Sequence, residues 1–382
     1  MYIENKQTNE SNKLNEDNKL SKKLSKRKSV LGVRKIVSLL MVLVLVFSVY
    51  GCKNSNDNEN EQNTDSKSQQ KENETPAEVS DMETTLVRVG SLKGPTSIGL
   101  VYLMNEAKNG NTKLKYDEFT VVAAADELTA KFVSGDLDII LVPANVASVL
   151  YNKTNGGVRV LDINTLGVLY MVTGSDGISS MTDLKGKTIY LTGKGTTPDY
   201  VLQYLLEENG IGTDEVTLEY RSEATEVAAL LAENPEAIGL LPQPFVTVAC
   251  SQNEELSVAL DMTKEWEKIQ GENGGQLVTG VTIARSEFVN EHPEIVEEFI
   301  KEHKESTEFT ETNLEETADF VVELGIIAKA PIAVKAIPQC NIVCITGEEM
   351  KTDLGSYLNV LYGKDKASVG GELPAEDFYY IN

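Results

Sequence analysis

The sequence predicts an α/β protein whose folded body forms two lobes around a cleft. Three observations carry this reading. From residue 84 onward, short apolar strand-like runs alternate with helical patterns, as in parallel sheets covered by helices. A strand running directly into a helix start occurs at Leu86-Val-Arg-Val-Gly-Ser-Leu92 and again at Thr188-Ile-Tyr-Leu-Thr192, once in each half of the body. Between them lies a long strand-like stretch, 158–173, suited to cross from one lobe to the other.

Ahead of the body, Lys22-Lys-Leu-Ser-Lys-Arg-Lys28 and Arg34-Lys35 are basic, and 36–49 is an apolar run broken only by two serines. The run is shorter than the roughly 20 residues a spanning helix needs, and Gly51-Cys52 follows at once. This arrangement resembles a bacterial lipoprotein signal peptide over residues 1–51, with Cys52 as the lipidated residue. The alternative is a plain transmembrane anchor. Either one places the body outside the cytoplasm. The Asn-, Glu-, Ser-, Gln- and Lys-rich tract 52–83 has little to bury and is expected to be a disordered linker.

In the first mouth, Gly94 supplies backbone freedom and Pro95 suits a first helical turn. Thr96 and Ser97 can satisfy free amides there. Phe119-Thr-Val-Val122 reads as a strand, followed by a helix through Phe132. Leu137-Asp-Ile-Ile-Leu-Val142 is apolar enough for the middle of a parallel sheet. Pro143-Ala-Asn145 opens the next helix, with Asn145 either an N-cap or a ligand contact. Within 158–173, Tyr170 faces either the cleft or the core. Met181-Thr-Asp-Leu-Lys-Gly-Lys187 is a short helical turn, and the second mouth is Gly193-Lys-Gly-Thr-Thr-Pro198 before a helix over 199–208. Strands are expected at 216–220, 238–241 and 256–262, helices at 224–232 and after Pro242-Gln-Pro-Phe245. A glycine-rich break at 271–276 precedes a returning strand, 277–284. Helices at 293–309, 314–324, 332–337 and 348–361 complete the chain.

Charge is distributed unevenly. Residues 1–35 hold 10 Lys/Arg against 4 Asp/Glu, which leaves 25 against 55 in the remainder. So acidic a body argues against nucleic acid as a partner, since that needs a basic face. The four cysteines, Cys52, Cys250, Cys340 and Cys344, contain no CxxC pair. Cys340 and Cys344 have a helical spacing, but no histidine lies nearby in the sequence to complete a zinc site, so they are read as buried small apolar side chains, with a disulfide outside the cytosol as the alternative. The two histidines, His292 and His303, fall on one acidic helix read as a surface helix with structural roles. With no GxSxG, HExxH or P-loop, the residues give no catalytic constellation, no metal site and no cofactor motif.

These features resemble a family. The Gly90-Ser-Leu-Lys-Gly-Pro-Thr96 turn, Leu184-Lys-Gly-Lys-Thr-Ile189, Leu241-Pro-Gln-Pro-Phe245, and Thr282-Ile-Ala-Arg-Ser-Glu-Phe-Val289 with His292-Pro-Glu294 are similar to the substrate-binding lipoproteins of ABC importers. The branch is that of the sulfonate, nitrate and thiamine-pyrimidine binders (SsuA/THI5-like), and the likeness covers about 84–325. It implies a periplasmic-binding-protein type II clamshell with two crossing strands as hinge. Lobe one would be 84–172 plus 275–382, and lobe two 173–274. It implies a monomer outside the cell membrane, lipid-anchored, that hands a small polar or anionic organic ligand to a permease and its ATPase without acting on it. The ligand would meet Lys93, Thr96, Ser97, Asn145, Tyr170, Lys194, Thr196, Thr197 and Gln243, near helix starts that favour negative charge. A sensor lipoprotein with the same clamshell, and less so an enzyme of the pyrimidine-precursor type, are the alternatives.

Overall fold

The computed structural model describes residues 84–271 and 275–381. The basic and apolar leader, Cys52 and the polar linker lie outside the described residues. The described chain opens with β1 (Leu86–Val87) and β2 (Val89–Leu92), then α1 (Pro95–Ile98) and α2 (Val101–Asn109). β3 (Lys115–Tyr116) pairs with β1. β4 (Thr120–Val122), α3 (Ala125–Val133), β5 (Ile139–Pro143), α4 (Ala144–Lys153) and β6 (Val158–Leu166) follow. The chain continues through β7 (Leu169–Thr173), β8 (Thr188–Leu191), α5 (Thr197–Glu208), β9 (Thr217–Tyr220), α6 (Ala224–Glu233), β10 (Ile238–Pro242), α7 (Phe245–Gln252), β11 (Ser257–Asp261) and α8 (Met262–Gln270). β12 (Val278–Arg285), α9 (Ser286–Glu291), α10 (Pro293–Thr312), α11 (Leu314–Glu323), α12 (Ala330–Ala336), β13 (Ile342–Ile345) and α13 (Gly347–Lys364) complete it.

Two sheets organise these elements. The first has order β13-β6-β12-β5-β2-β4, and the second β11-β7-β10-β8-β9. β2 is parallel to both β4 and β5, while β12 runs antiparallel to β5 and β6. In the second sheet β8 is parallel to β9 and β10, and β7 is antiparallel to β10 and β11. The inner strands are apolar on both faces because helices cover both. Ile139, Ile140, Leu141 and Val142 of β5 are all fully buried.

The stretch 158–173 is two strands rather than one. β6 belongs to the first sheet and β7 to the second, so the chain changes sheets at Gly167-Val168. A side chain at Gly167 would collide with Thr263, so the break also lets α8 pack close by. After α8 the chain rejoins the first sheet at β12. The helix α8 itself escaped the sequence reading, which carried the strand through Met262. Its signal was present: the Asp261 side chain accepts from the amides of Thr263 and Lys264 and caps the helix. The helical spacing of Cys340 and Cys344 is likewise not realised, since Cys344 lies in β13.

The long C-terminal helix joins the two halves. Met350, Leu354, Tyr357, Leu358 and Leu361 form its buried stripe. Tyr357 packs 5.6 Å from the Trp266 ring of α8, which in turn lies 4.9 Å from Tyr204 of α5. Lys364 then pairs with Glu208 of α5 at 2.6 Å.

Candidate ligand-binding cleft

Parallel strands in both sheets end at one place. β2, β4 and β5 of the first sheet, and β8, β9 and β10 of the second, are each followed within a few residues by a helix start. Those turns surround a cavity of about 320 Å³. The first lobe supplies 92–96, 123–126, Pro143 and Thr279, and the second supplies Leu169, 192–194, 196–198, 222–225, Pro242 and Phe245. Ligands of open α/β sheets bind in the crevice at these carboxyl ends, where helix amides and dipoles point.

The wall is mixed in chemistry. Leu92, Pro95, Ala123, Ala124, Pro143, Leu169, Pro198, Pro242 and Phe245 make it largely apolar. Each lobe adds one cation and one carboxylate: Lys93 and Asp126 from the first, Lys194 and Glu223 from the second. Neither lysine makes an ion pair among the described residues; the Lys194 ammonium lies 5.3 Å from the centre of the Tyr220 ring. The hydroxyl of Thr279 on β12 is buried in the cavity floor without a protein partner. The N-cap residues of α3, α4, α5, α6 and α7 make no side-chain cap bond. In α7 the Thr247 amide is instead taken by Gln243 Oε1 at 3.3 Å, and the first-turn amides that remain unbonded at these helix starts are donors for solvent or a ligand.

The first turn is shaped by Gly94, whose φ of 154° lies where a side chain is strained. Thr96 Oγ1 donates to the Leu92 carbonyl at 3.1 Å, and Ser97 Oγ lies 2.5 Å from the same oxygen and 2.9 Å from Ser91 Oγ. In the second turn Thr196 Oγ1 donates to the Gly193 carbonyl at 2.6 Å. The Gly195 amide donates to Asp199 Oδ2 at 2.7 Å. Tyr220 donates to the other oxygen of Asp199 at 2.7 Å; burial, then this bond, pushes the Tyr220 hydroxyl well above the usual tyrosine range.

Of the nine residues expected to meet ligand, the structure brings Lys93, Thr96, Lys194, Thr196 and Thr197 to the cavity wall. The other four lie behind it. Ser97 is fully buried and held by the turn's own backbone. Asn145 is not an N-cap: it is the second residue of α4, and its Nδ2 donates to the carbonyls of Gly195 at 3.3 Å and Ser368 at 3.1 Å. That links the first lobe to the second lobe's turn. Gln243 is buried, accepts from Thr247 Oγ1 at 2.9 Å and approaches Gln339 at 3.5 Å. Tyr170 is half-buried and packs against the apolar cluster around Val172 and Phe245. Asp126, Glu223, Phe245 and Thr279 were not singled out from sequence. The turns carrying Asp126 and Glu223 repeat the strand-to-helix signal of the two chosen mouths and could have been found by it.

Cys340 is buried as read and His292 stands at the entry to α10, but the readings of His303 and of the surroundings of Cys344 need correction. His303 is fully buried on the inner face of α10, not on a surface helix, with Nδ1 3.0 Å from Asp162 Oδ2 of β6. Cys344 of β13 completes a group with them in which one ligand atom from each lies within 4.8 Å of the others. A histidine is therefore beside Cys344 in space, though 41 positions away in sequence.

Comparison with known proteins agrees with this geometry. Residues 158–317 match the profile of the NMT1/THI5 like family, the branch to which the sequence resemblance points. A protein of Brucella abortus (strain 2308), described as a binding protein, is 26% identical over 201 residues, 53% of this chain and 59% of its own length. The chain thus spans about six tenths of the length of the curated relatives it matches. An ABC transporter structure from Parabacteroides distasonis superposes with a TM-score of 0.64 at 22% identity, covering 78% of this chain and 99% of its own. The periplasmic aliphatic sulphonate binding protein SsuA of Escherichia coli gives 0.60 at 13% identity, covering 76% and 92%. The fold is that of the periplasmic binding proteins, a two-lobed clamshell. Among the described residues no helix is long and apolar enough to cross a membrane.

Proposed function

We propose that this protein is a solute-binding protein of an ABC importer. It would be held outside the cytoplasmic membrane by a lipid on Cys52, and would capture a small polar organic molecule and release it unchanged to a permease and its ATPase. One observation carries the reading: the cavity sits where strands of two sheets end and several uncapped helix starts converge. Converging amides and two lysines without ion-pair partners suit an anionic or acceptor-rich group on the ligand. Asp126, Glu223 and the apolar wall suit a ligand that also carries a donor and a short hydrocarbon part. A ligand touching turns of both lobes binds the closed form better than the open one, and that difference drives closure.

Binding without chemistry is favoured by the wall itself, which contains no histidine or cysteine to pair with Ser222 or the threonines as a base or nucleophile. The test is native mass spectrometry of the protein purified from its own host. The expected result is one small molecule bound per chain and recovered at the same mass after prolonged incubation with excess ligand. Conversion of that molecule to a product would overturn the reading in favour of an enzyme on the same fold.

A further inference from the structure

We propose that Asp162, His303 and Cys344 form a binding site for a zinc-like divalent cation, separate from the ligand cleft. Three elements distant in sequence deliver the donors: Asp162 from β6, His303 from α10 and Cys344 from β13. One carboxylate oxygen, one imidazole nitrogen and the thiol sulfur lie within 4.8 Å of one another. Around zinc, with bonds of about 2.0–2.3 Å, tetrahedral ligands sit about 3.4 Å apart, so the site needs to contract by about 1 Å. Oxygen, nitrogen and sulfur together are a donor set that zinc accepts and that magnesium and calcium do not.

Charge favours the same ion. Asp162 and His303 are fully buried. A carboxylate and a thiolate carry two negative charges in a poorly solvated place, and a divalent cation neutralises both. Access is available because β13 is the edge strand of its sheet and Cys344 is half-buried at that edge. The ion has to displace the thiol proton, which burial holds firmly.

The surroundings are arranged as such a site requires. Asp162 Oδ1 accepts from Thr282 Oγ1 at 2.7 Å, and Thr282 accepts from Asn164 Nδ2 at 3.1 Å, which fixes the carboxylate. His303 Nε2 and Thr307 Oγ1 are both buried without partners. They face the same gap over Gly99, where a methyl group would sit 3.6 Å from the nitrogen and 3.3 Å from the oxygen. When a metal takes Nδ1, the proton must reside on Nε2, and the Thr307 hydroxyl one turn on, not bonded to it in this structure, would have to move closer to accept it. An ion held this way ties the edge strand and the long helix α10 to the sheet.

Titration of the full chain with Co²⁺, followed by absorption, tests the site. The expected result is one Co²⁺ per chain with a thiolate-to-cobalt charge-transfer band, lost in Cys344→Ser and retained in Cys250→Ser. Thr282→Val should keep the band while weakening Co²⁺ binding about 10–100-fold, because it loosens only the carboxylate's support. Zn²⁺ should raise the melting temperature of the wild type and not that of Cys344→Ser. Absence of the band in the wild type, its survival in Cys344→Ser, or equal stabilisation of both proteins by Zn²⁺ would overturn the proposal and leave His303–Asp162 as a structural pair.

Discussion

The turns at 92–97 and 192–198 are alike in sequence, each a strand leading through glycine, proline and paired hydroxyls into a helix, yet they are held differently. The first is held by neutral groups, including a bond from the Lys93 amide to the Val122 carbonyl of β4 at 2.7 Å. Both its hydroxyls are directed at the Leu92 carbonyl. The second depends on a charge: buried Asp199 accepts from the Gly195 amide, Tyr220 and Gln203. It also reaches across the cleft, with Thr197 Oγ1 3.4 Å from the Thr279 carbonyl and Gly195 O accepting from Asn145. Thr96, Ser97 and Thr196 use their hydroxyls to shape their own turns, whereas Thr197 directs its hydroxyl across the cleft. What these turns leave for a ligand is chiefly backbone amide and lysine.

The largest contrast should appear at Asp199. Hydrogen bonds to a charged group contribute about 1.5–3 kcal/mol each, so Asp199→Ala should lower stability by about 3 kcal/mol or more in urea unfolding. A loss below about 1 kcal/mol would make the two turns equivalent. Next is Tyr220→Phe, which removes one such bond and should cost about 1.5–3 kcal/mol at neutral pH. The Tyr220 hydroxyl titrates above its usual range because of burial and Asp199. The folded state therefore keeps a proton that the unfolded chain releases. That stabilisation is complete below about pH 10 and declines as pH rises further. The gap between wild type and Tyr220→Phe should accordingly narrow above about pH 10, and a constant gap would remove the titration argument.

Smaller effects are expected in the first turn. Ser97→Ala should lower stability by about 1 kcal/mol with and without ligand, with affinity little changed, because the hydroxyl is buried behind the wall. A large loss of affinity at unchanged stability would return Ser97 to the site. Thr197→Ala should have the least effect on stability, since its bond is long. It should weaken binding a few-fold by loosening the closed form, which calorimetry would detect.

Much of this was legible in sequence, and the exceptions have physical causes. The alternation of apolar strands with helices gave the sheets, because buried parallel strands such as 139–142 need continuous apolar runs. The two mouths gave five wall residues, because a strand-to-helix turn exposes amides wherever it occurs. Sequence does not say which way a hydroxyl or amide side chain turns, so Ser97 and Gln243 resembled contacts while being internal supports. Asn145 is an inter-lobe link for a related reason: its partners Gly195 and Ser368 are distant in sequence. Thr279 is visible only once β12 returns to the first sheet. His303 and Cys344 meet only when α10 and β13 dock against β6, a contact that no local pattern encodes.

The central claim is that one ligand is held jointly by turns of both lobes. Once the co-purified molecule is identified, calorimetry on wild type, Lys93→Met and Lys194→Met tests it directly. A charge-assisted bond of about 1.5–3 kcal/mol corresponds to about a 10–150-fold change in affinity. The account predicts that each substitution weakens binding by at least about tenfold while the melting temperature of the ligand-free protein stays unchanged. Full affinity in both variants would contradict it.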